Sequence, residues 1–592
     1  MAWAVDDEPP SLWLPGRDKP KRFFDLIDQG ATVAAWNSFF ELCIWELVLG
    51  WRSIPWAQWA DTAALAAAQA YPRALGDCSK FVGLDEDEAK DKRGHYLIQR
   101  LCKPYRGKRV DDYGLLQELH NYCLQDVIAE RAIRKKLRPL SAFERKVWEC
   151  DQRMNWRGVR LDACNCWNAI AIIDQLENEM NEEVGKLTDG AMNSTRSRAK
   201  SLEWVRSQGF DLQSYDKAAI ANALSTVREP KVKRFLEIRQ ALSKSSTKKY
   251  RAMIDCLGKD GRAHGTTMYC AAATGRWGGK HFQPQNLPRP TIKNVDAVID
   301  LLNERDHEQL PGEPMSALAS CLRGMLIASD EHRLIVSDYS AIEARVIAWL
   351  AGHTTVLQSF KDGLDLYKVT ASAMQGIPYD RVTDDQRFLG KVASLALSYQ
   401  GGSKAFTSMA KIYGSTIDER IATKVRDDWR GANKPIVQLW ADIDRAARKA
   451  IQNGGIEKTR AGDFKMIRND LLFKLPSGRL LTFPKAAIKE GKITYVGKNN
   501  YTHKYEEIQT FGGSITQSIT QAVARDLLAN ALLKLEEAGY RPILTVHDEV
   551  IADTPIGHGS LQEFNELMCD LPPWAKGLPV EAEGYESFRY RK

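Results

Sequence analysis

The sequence contains no pair of cysteines with the Cys-x-x-Cys spacing of a structural zinc site, although it has 11 cysteines. Apart from Cys164 and Cys166 these residues are scattered singly, which favours reduced thiols in a cytosolic protein over disulfide bridges. No uninterrupted apolar run approaches the roughly 18 residues that a membrane span requires. Residues 1–8 lack the basic and apolar regions of a signal peptide. We therefore expect a cytoplasmic protein with neither a zinc ribbon nor a membrane span.

The chain also lacks a strong charge of either sign, because 83 Lys and Arg residues against 76 Asp and Glu residues give a net charge of +7. This mild basicity does not distinguish a nucleic-acid-binding protein from an ordinary enzyme. The length of 592 residues predicts three or four domains with ample hydrophobic core.

Two aspartates stand at the edges of short apolar runs. Asp338 closes the run that begins at Leu334, and Asp548 follows the run that begins at Ile543. Each pattern predicts a buried strand ending in a carboxylate. An aspartate in this position is more often a turn residue or a helix cap. Two such carboxylates brought together, however, would suit Mg²⁺, and a pair of ions about 3.5–4 Å apart stabilises both oxygens of a phosphoryl displacement.

A helix with a cationic stripe is predicted between these two strands. Arg387, Lys391 and Tyr399 follow a four-residue spacing and would share one face of the helix. Thr383 and Gln386 form a capping-box pattern at its start. The stripe could be a solvated basic face. Cations in the first turns oppose the helix macrodipole, however, which favours an anion such as a triphosphate docking there.

These segments resemble three motifs of the family A DNA polymerases, the bacterial DNA polymerase I type. Residues 338–345 are similar to motif A, residues 387–399 to motif B and residues 546–549 to motif C, in the family's order. The resemblance implies an α+β fold with the palm, fingers and thumb of a right hand, and template-directed addition of dNTPs to a primer 3′-hydroxyl.

Further segments strengthen this resemblance over residues 145–592. Thr274-Gly275-Arg276, together with residues 283–288, is similar to the segment that grips the primer strand. Residues 521–526 resemble the helix that contacts the minor groove. Residues 283–288 and 475–479 resemble the phage-encoded branch most, so we expect a polymerase that replicates a phage genome in the host cytoplasm.

The resemblance assigns the metal and triphosphate sites. Asp338, Asp548 and the Tyr339 carbonyl would hold two Mg²⁺ ions, while Glu549 is equally well an outer ligand or merely the next strand residue. The triphosphate would be held by Arg387 and Lys391, with Tyr367 nearby, and Lys391 would also protonate the leaving group.

The resemblance also assigns the contacts to DNA and to the sugar. Arg276 and Gln521 would donate hydrogen bonds to minor-groove acceptors that every base pair presents, and His547 would touch the primer terminus. Tyr399 would pack where the template base enters. Glu343 would lie against the 2′ position of the sugar and exclude ribose, which argues against the related single-subunit RNA polymerases.

At some positions the residue differs from the bacterial pattern, but none of these differences removes a residue that the reaction requires. Positions at which the family commonly has another residue are occupied here by Ala341, Tyr367, Leu395, Gln400 (where Gly is expected) and Gln517. These departures concern fidelity and the use of nucleotide analogues.

The N-terminal region shows fragments of a second site. Asn37 and Glu41 resemble the second motif of proofreading 3′→5′ exonucleases, and Tyr122 and Asp126 resemble the third. The first motif, an Asp-x-Glu on the opening strand, is absent, because Asp6-Asp7-Glu8 lies just before Pro9-Pro10, which favours an extended loop over the middle of a strand. Residues 1–5 look like a later strand of the same sheet. We therefore expect a chain that starts after the first strand, through a truncated start or a natural loss. The predicted outcome is an exonuclease-like remnant without activity.

The predicted domains follow from these assignments, with a charged surface segment at residues 84–93 and a basic loop at residues 103–113. They are an RNase H-like exonuclease-type α/β domain lacking its first strand (1–140), the start of the polymerase domain (141–165), the thumb (166–260), the palm (261–352 and 506–592) and the fingers (353–505). The expected partners are primer–template DNA and dNTPs. The alternatives are an inactive DNA-binding paralogue, or an exonuclease if the N-terminal site is complete.

Overall fold

The computed structural model describes residues 1–85, 93–104, 108 and 110–591 of the chain. The predicted charged segment and basic loop lie partly outside these residues. Helices predominate, the sheets between them are mostly antiparallel, and the fold is α+β as predicted. No helix in the described ranges combines the length and the apolar character that crossing a membrane requires.

The N-terminal region is a small mixed unit. Its elements are β1 (Ala2–Trp3), β2 (Ser11–Leu12), α1 (Lys21–Asp28), β3 (Val33–Ala35), α2 (Ser38–Cys43), β4 (Trp59–Asp61), α3 (Thr62–Ala68), α4 (Leu75–Phe81), α5 (Gly94–Leu97) and α6 (Tyr113–Lys136). Strands β3 and β4 pair in parallel, with Ala35 opposite Asp61. The expectation that residues 1–5 belong to this sheet is wrong. A turn at Asp6, where φ is 41°, reverses the chain so that β1 pairs with β2 instead.

The next part of the chain is mostly helical. Its elements are α7 (Ala142–Arg157), β5 (Val159–Arg160), α8 (Ala163–Leu187), α9 (Arg198–Ser207), α10 (Lys217–Thr226), α11 (Pro230–Leu242), α12 (Lys248–Asp255), β6 (Arg262–Ala263), β7 (Thr267–Met268), β8 (Gly278–Gly279), α13 (Val295–Leu301) and α14 (Pro314–Cys321). Trp45 and Trp59 of the N-terminal unit share a buried cluster with Trp148 and Tyr269. The N-terminal unit is therefore packed against the rest of the molecule through aromatic side chains.

A long strand then leads into a run of helices. These elements are β9 (His332–Tyr339), α15 (Ile342–Ala351), α16 (Thr354–Lys361), α17 (Leu366–Gln375), α18 (Asp384–Leu397), α19 (Ser403–Ile412), α20 (Glu419–Ala432) and α21 (Lys434–Asn453). The capping box predicted at the start of α18 is confirmed, because Gln386 N–H donates to Thr383 Oγ1 at 3.3 Å and Thr383 N–H donates to Gln386 Oε1 at 2.9 Å.

The segment between α21 and the next helix folds as two antiparallel sheets that the sequence analysis did not predict. The strands are β10 (Ile456–Thr459), β11 (Gly462–Ile467), β12 (Asp470–Lys474) and β13 (Leu480–Phe483) in one sheet, and β14 (Ala487–Lys489), β15 (Lys492–Lys498) and β16 (Tyr505–Thr510) in the other. Tyr505 OH donates to the carbonyl of Tyr71 at 3.1 Å, so this β-rich segment also contacts the N-terminal unit.

The remaining elements complete a four-stranded sheet. They are α22 (Gly512–Glu537), β17 (Pro542–Val546), β18 (Glu549–Pro555), α23 (Leu561–Cys569) and β19 (Ala582–Ser587). The strand order is β17-β18-β9-β19, and every pairing is antiparallel. Leu334 and Val336 of β9 pack into one core cluster, while Ile335 and Tyr339 pack into another. Because both faces are buried, β9 and β17 have the apolar runs from which they were predicted.

Candidate functional site

The turn between β17 and β18 carries Asp548 to the edge of the four-stranded sheet. The turn consists of His547 and Asp548, since Val546 pairs directly with Glu549. His547 has a positive φ of 59°, a conformation found in the tight turns that match the twist of a hairpin. His547 is exposed and Asp548 is half-buried, so both are within reach of a ligand at this edge.

The neighbouring strand β9 brings Asp338 to the same place. Asp338 lies directly opposite Glu549 in the β18–β9 pairing, and Tyr339 N–H donates to the carbonyl of Asp548 at 3.4 Å. The half-buried Asp338 therefore lies one residue away from a backbone contact with Asp548. The structure thus brings together the two aspartates that the sequence singled out.

Two other carboxylates flank Asp338. Glu549 is only 1% exposed, and its Oε1 accepts a hydrogen bond from Tyr590 OH at 2.7 Å, which engages one of its two oxygens inside the core. Glu583 pairs with Asp338 from the other side, on β19, and is exposed. Directly opposite residues of antiparallel strands project to the same face. Glu583 could not be found from the sequence, because no motif marks the segment that contains β19.

The donor chemistry of this edge fits Mg²⁺. Mg²⁺ takes one or two protein carboxylates and completes its shell with water and substrate phosphates. Asp338 and Asp548 supply that number of carboxylates, and the adjacent Tyr339 supplies a carbonyl oxygen. In the described ranges no group of three or more His, Cys, Asp and Glu side chains is arranged to hold a metal.

Helix α18 presents the predicted cations beside α17. Arg387 forms an ion pair of 2.8 Å with Asp365, and its guanidinium lies 5.4 Å from the ring centre of Tyr367. Lys391 Nζ lies 4.3 Å from the ring centre of Tyr413. Lys391 is in the middle of α18 rather than in its first turns, so the macrodipole argument applies to Arg387 alone. A triphosphate would compete with Asp365 for Arg387.

Glu343, at the start of α15, contacts two other predicted residues. Arg276 Nη2 forms an ion pair with its Oε1 at 2.7 Å, and Tyr399 OH donates to its Oε2 at 3.0 Å. Burial, and then the negative charge of Glu343, raise the pKa of Tyr399 well above its ordinary value, so the hydroxyl remains a donor. Glu343 thereby connects the loop that carries Arg276 to the residues just after α18, which include Tyr399.

The loop that carries Arg276 accepts hydrogen bonds from two arginines. Arg525 Nε donates to the carbonyl of Gly275 at 3.0 Å, and Arg479 Nη2 donates to the carbonyl of Thr274 at 2.9 Å. Arg525 lies one helical turn after the half-buried Gln521 on α22, so the predicted primer-contacting loop and minor-groove helix are adjacent. Arg479 belongs to the β-rich segment, and the sequence analysis assigned it no role.

The N-terminal fragments also converge, but around different partners. The N–H of Asn37 donates to Asp61 Oδ1 at 3.3 Å, and Glu41 lies on the helix that follows. Burial, reinforced by the charges of Glu130 and Asp61, raises the pKa of Glu41 to about 8. Burial also raises the pKa of Glu130 to about 7. Asp61 and Glu130 were not predicted from the sequence, although Asp61 does end a short strand.

Tyr122 and Asp126 lie on α6, four residues apart and hence on one face of that helix. Tyr122 is buried, and Asp126 is half-buried. Glu130, one further turn along the same helix, accepts a hydrogen bond from Thr62 Oγ1 at 2.7 Å. The face of α6 predicted to hold a metal is thus also the face that packs against α3.

Comparison with known proteins gives a consistent result. A family model described as DNA polymerase family A matches residues 172–463. A DNA polymerase of Bacillus phage SP02 is 35% identical over 621 aligned residues, which cover 100% of this chain and 95% of that protein. A DNA polymerase of Mycobacterium phage L5 is 26% identical over 54% of this chain and 47% of its own length.

Thermostable DNA polymerase I of Thermus aquaticus is 25% identical over 69% of this chain, but the match spans only 40% of that enzyme. Among solved structures, the POL domain of Pol1 from M. smegmatis in complex with DNA primer-template and dNTP superposes with a TM-score of 0.59. That alignment covers 97% of this chain and 89% of the other, at 17% identity, and shows a shared fold.

Proposed function

The chain belongs to family A of the DNA polymerases, and on that premise we propose that the edge of its four-stranded sheet is the site of template-directed DNA synthesis. The observation that supports this most directly is the contact between Tyr339 N–H and the carbonyl of Asp548, which places motif C beside Asp338. In the proposed reaction a primer 3′-hydroxyl attacks the α-phosphate of a dNTP, and pyrophosphate leaves.

The chain's own residues would act by positioning and charge. Asp338, Asp548 and the Tyr339 carbonyl would hold two Mg²⁺ ions, which when bound stabilise the attacking and leaving oxygens of the displacement. Lys391 and Arg387, with Tyr367 beside them, would bind the triphosphate, and Lys391 Nζ would donate a proton to the leaving pyrophosphate. The hydrogen bond from Tyr590 favours a structural role for Glu549 over a place as an outer ligand.

Contacts with DNA would follow from the loop and helix next to this edge. Arg276 and Gln521 would donate to minor-groove acceptors, and the exposed His547 would touch the primer terminus. Tyr399 would support the template base. We assign residues 166–260 to the thumb, 261–352 and 506–592 to the palm, and 353–505 to the fingers, although the β-rich segment at the end of the last range also contacts the N-terminal unit. Replication of a phage genome in the host cytoplasm would fit the relatedness to phage enzymes.

Glu343 would select the sugar. Its two oxygens are fixed by Arg276 and Tyr399, so its position next to the nucleotide would be rigid. A fixed carboxylate would exclude a 2′-hydroxyl by contact and by loss of solvation. We expect Glu343→Ala to raise the efficiency of rNTP incorporation relative to dNTP incorporation. An unchanged ratio would mean that another residue selects the sugar.

The central test is extension of a labelled primer on a template, with dNTPs and Mg²⁺ and with EDTA as the metal-free control. We expect extension that follows the template sequence and stops in EDTA. Binding of the primer–template without any extension by the wild-type chain would favour the inactive DNA-binding paralogue instead.

A further inference from the structure

The residue after Tyr399 adopts a backbone conformation that favours glycine. Gln400 has a φ of 66°, in the left-handed region, where a Cβ atom is unfavourable. Gln400 lies in the segment of residues 398–402, which connects the end of α18 to the start of α19. A strained non-glycine residue is retained only where its surroundings fix it.

The surroundings of Gln400 are the N-terminus of α22. The first N–H groups of a helix have no partner within the helix, and the N-cap Phe511 supplies no side-chain hydrogen bond here. Gln400 Oε1 accepts from Gly513 N–H at 2.9 Å, and Asp444 Oδ1 of α21 accepts from Gly512 N–H at 3.0 Å. Two side chains from neighbouring segments therefore cap α22.

The backbones at this junction approach as closely as glycine allows. A Cβ atom on Gly513 would lie 2.6 Å from the carbonyl oxygen of Tyr399 and 2.4 Å from Gln400 Cβ. Trp440 Nε1 donates to the carbonyl of Ser398 at 3.0 Å, which fixes the same segment from α21. On its open side Gln400 lines a cavity of about 590 Å³. The chain segment that presents Tyr399 is thus fixed between α21 and α22.

We propose that Gln400 is a positioning residue for nucleotide binding, acting through its hydrogen bond to Gly513 N–H. The bond fixes the end of the α18 segment against α22, and thereby the hydroxyl of Tyr399 on Glu343. A nucleotide then meets a preformed pocket instead of one that must be ordered on binding. This inference rests on the proposed function, because Tyr399 and Glu343 are assigned to the nucleotide site there.

Three substitutions at position 400 separate the hydrogen bond from the backbone strain. Gln400→Ala removes the bond and keeps the strain, whereas Gln400→Gly removes both. Gln400→Glu keeps an acceptor of the same length at a helix N-terminus, where a negative charge is favourable. Gln452→Ala is the matched control, because Gln452 lines the same cavity from the last turn of α21.

The measurements are the KM for dNTP and kcat in single-nucleotide incorporation, together with the thermal unfolding midpoint of each variant. We expect Gln400→Ala and Gln400→Gly each to raise KM by roughly three- to tenfold with a smaller change in kcat, the effect of one lost hydrogen bond. Gln400→Ala should also lower the midpoint, whereas Gln400→Gly should not, since relief of strain offsets the lost cap. Gln400→Glu and Gln452→Ala should keep the wild-type KM.

A normal KM in Gln400→Gly would overturn the inference, because the bond would then have no role in nucleotide binding. A KM that follows the unfolding midpoint across the series would overturn it too, since Gln400 would then be merely structural. Absence of extension by the wild-type chain would instead contradict the proposed function.

Discussion

The carboxylates at the sheet edge and those of the N-terminal unit differ in how far the protein encloses them. Asp338 and Asp548 lie half-buried at an open edge, on a strand and a tight turn. Glu41 and Glu130 are enclosed among helices, and burial raises their pKa values to about 8 and about 7. A metal ligand must be deprotonated, so a metal would first have to displace protons from the N-terminal pair. Proximity of carboxylates therefore does not by itself make a metal site.

Burial alone is not the difference between the two regions. Glu144, beneath the loop of Arg276, is also buried, yet Arg525 and Arg479 lower its pKa although burial would raise it. For Glu41 burial and the charges of Glu130 and Asp61 raise the pKa, and among the described residues the opposing contribution comes from a backbone hydrogen bond rather than from a cation. The supply of cations distinguishes the ionised carboxylate from the protonated one.

The largest expected effect tests the comparison directly. Asp338→Asn or Asp548→Asn should reduce primer extension by roughly a thousandfold or more, because each removes one charge of the metal site. Binding of primer–template, measured by fluorescence anisotropy, should be unchanged. Glu41→Gln is the control in the N-terminal unit and should extend primers at the wild-type rate. Near-normal extension by either aspartate variant would contradict the assignment of the site.

The strands of the sheet edge and the start of α18 could be predicted from the sequence because local patterns mark them. The runs before Asp338 and Asp548 are strands buried on both faces, and the capping box at Thr383 fixes the start of α18. The sequence could not predict the β-rich segment of residues 456–510, whose short strands mix polar and apolar residues. The contacts of Glu343 and the support from Arg479 join distant parts of the chain, so no local pattern indicates them.

A smaller effect on rate is expected when a cation is removed near the sheet edge, and none when one is removed in the N-terminal unit. Lys391→Ala should lower kcat and raise the KM for dNTP, together reducing kcat/KM by roughly a hundredfold, because the charge acts on both bound substrate and transition state. Arg134 lies beside the N-terminal cluster, where its Nη1 donates to Thr62 Oγ1 at 3.3 Å. Arg134→Ala should leave both constants unchanged. If Lys391→Ala weakened only DNA binding, α18 would be a contact for the DNA backbone.

The two regions should also respond oppositely to pH. The folded-state pKa of Glu41 is raised, so its contribution to stability is present below about pH 4.5 and is lost as the pH rises through about 8. The pKa of Glu144 is lowered, so its contribution is present above pH 4.5 and is lost as the pH falls below that value. Alkaline conditions should therefore loosen the N-terminal unit. Acid should instead loosen the contacts of Glu144 with Arg525 and Arg479, next to the loop that carries Arg276.

Hydrogen exchange measured on peptides of each region, at pH values from about 2 to 9 and corrected for the intrinsic rate, would show this contrast. Glu41→Gln should remove most of the alkaline loss of protection around α2, on the order of 2–4 kcal/mol, because glutamine mimics the neutral acid. Its effect on peptides around Glu144 should be negligible. Equal alkaline loss in the variant and the wild type would show that another group near α2 titrates.

The smallest expected effect concerns 3′→5′ degradation, for which we expect no activity and no change on mutation. We expect this chain to show negligible 3′→5′ degradation of single-stranded or mispaired primer ends, and Asp126→Ala to leave that level unchanged. Proofreading nucleases carry two carboxylates in an Asp-x-Glu on a sheet strand, whereas Asp6-Asp7-Glu8, which has that spacing, lies in the turn between β1 and β2. Glu41 would be largely protonated at neutral pH, which removes a further negative charge. The assay is release of a labelled terminal nucleotide in Mg²⁺, with primer extension by the same preparation as the positive control. Degradation as fast as extension, and abolished by Asp126→Ala, would show that a bound metal deprotonates the N-terminal cluster and that the contrast between the two regions does not hold.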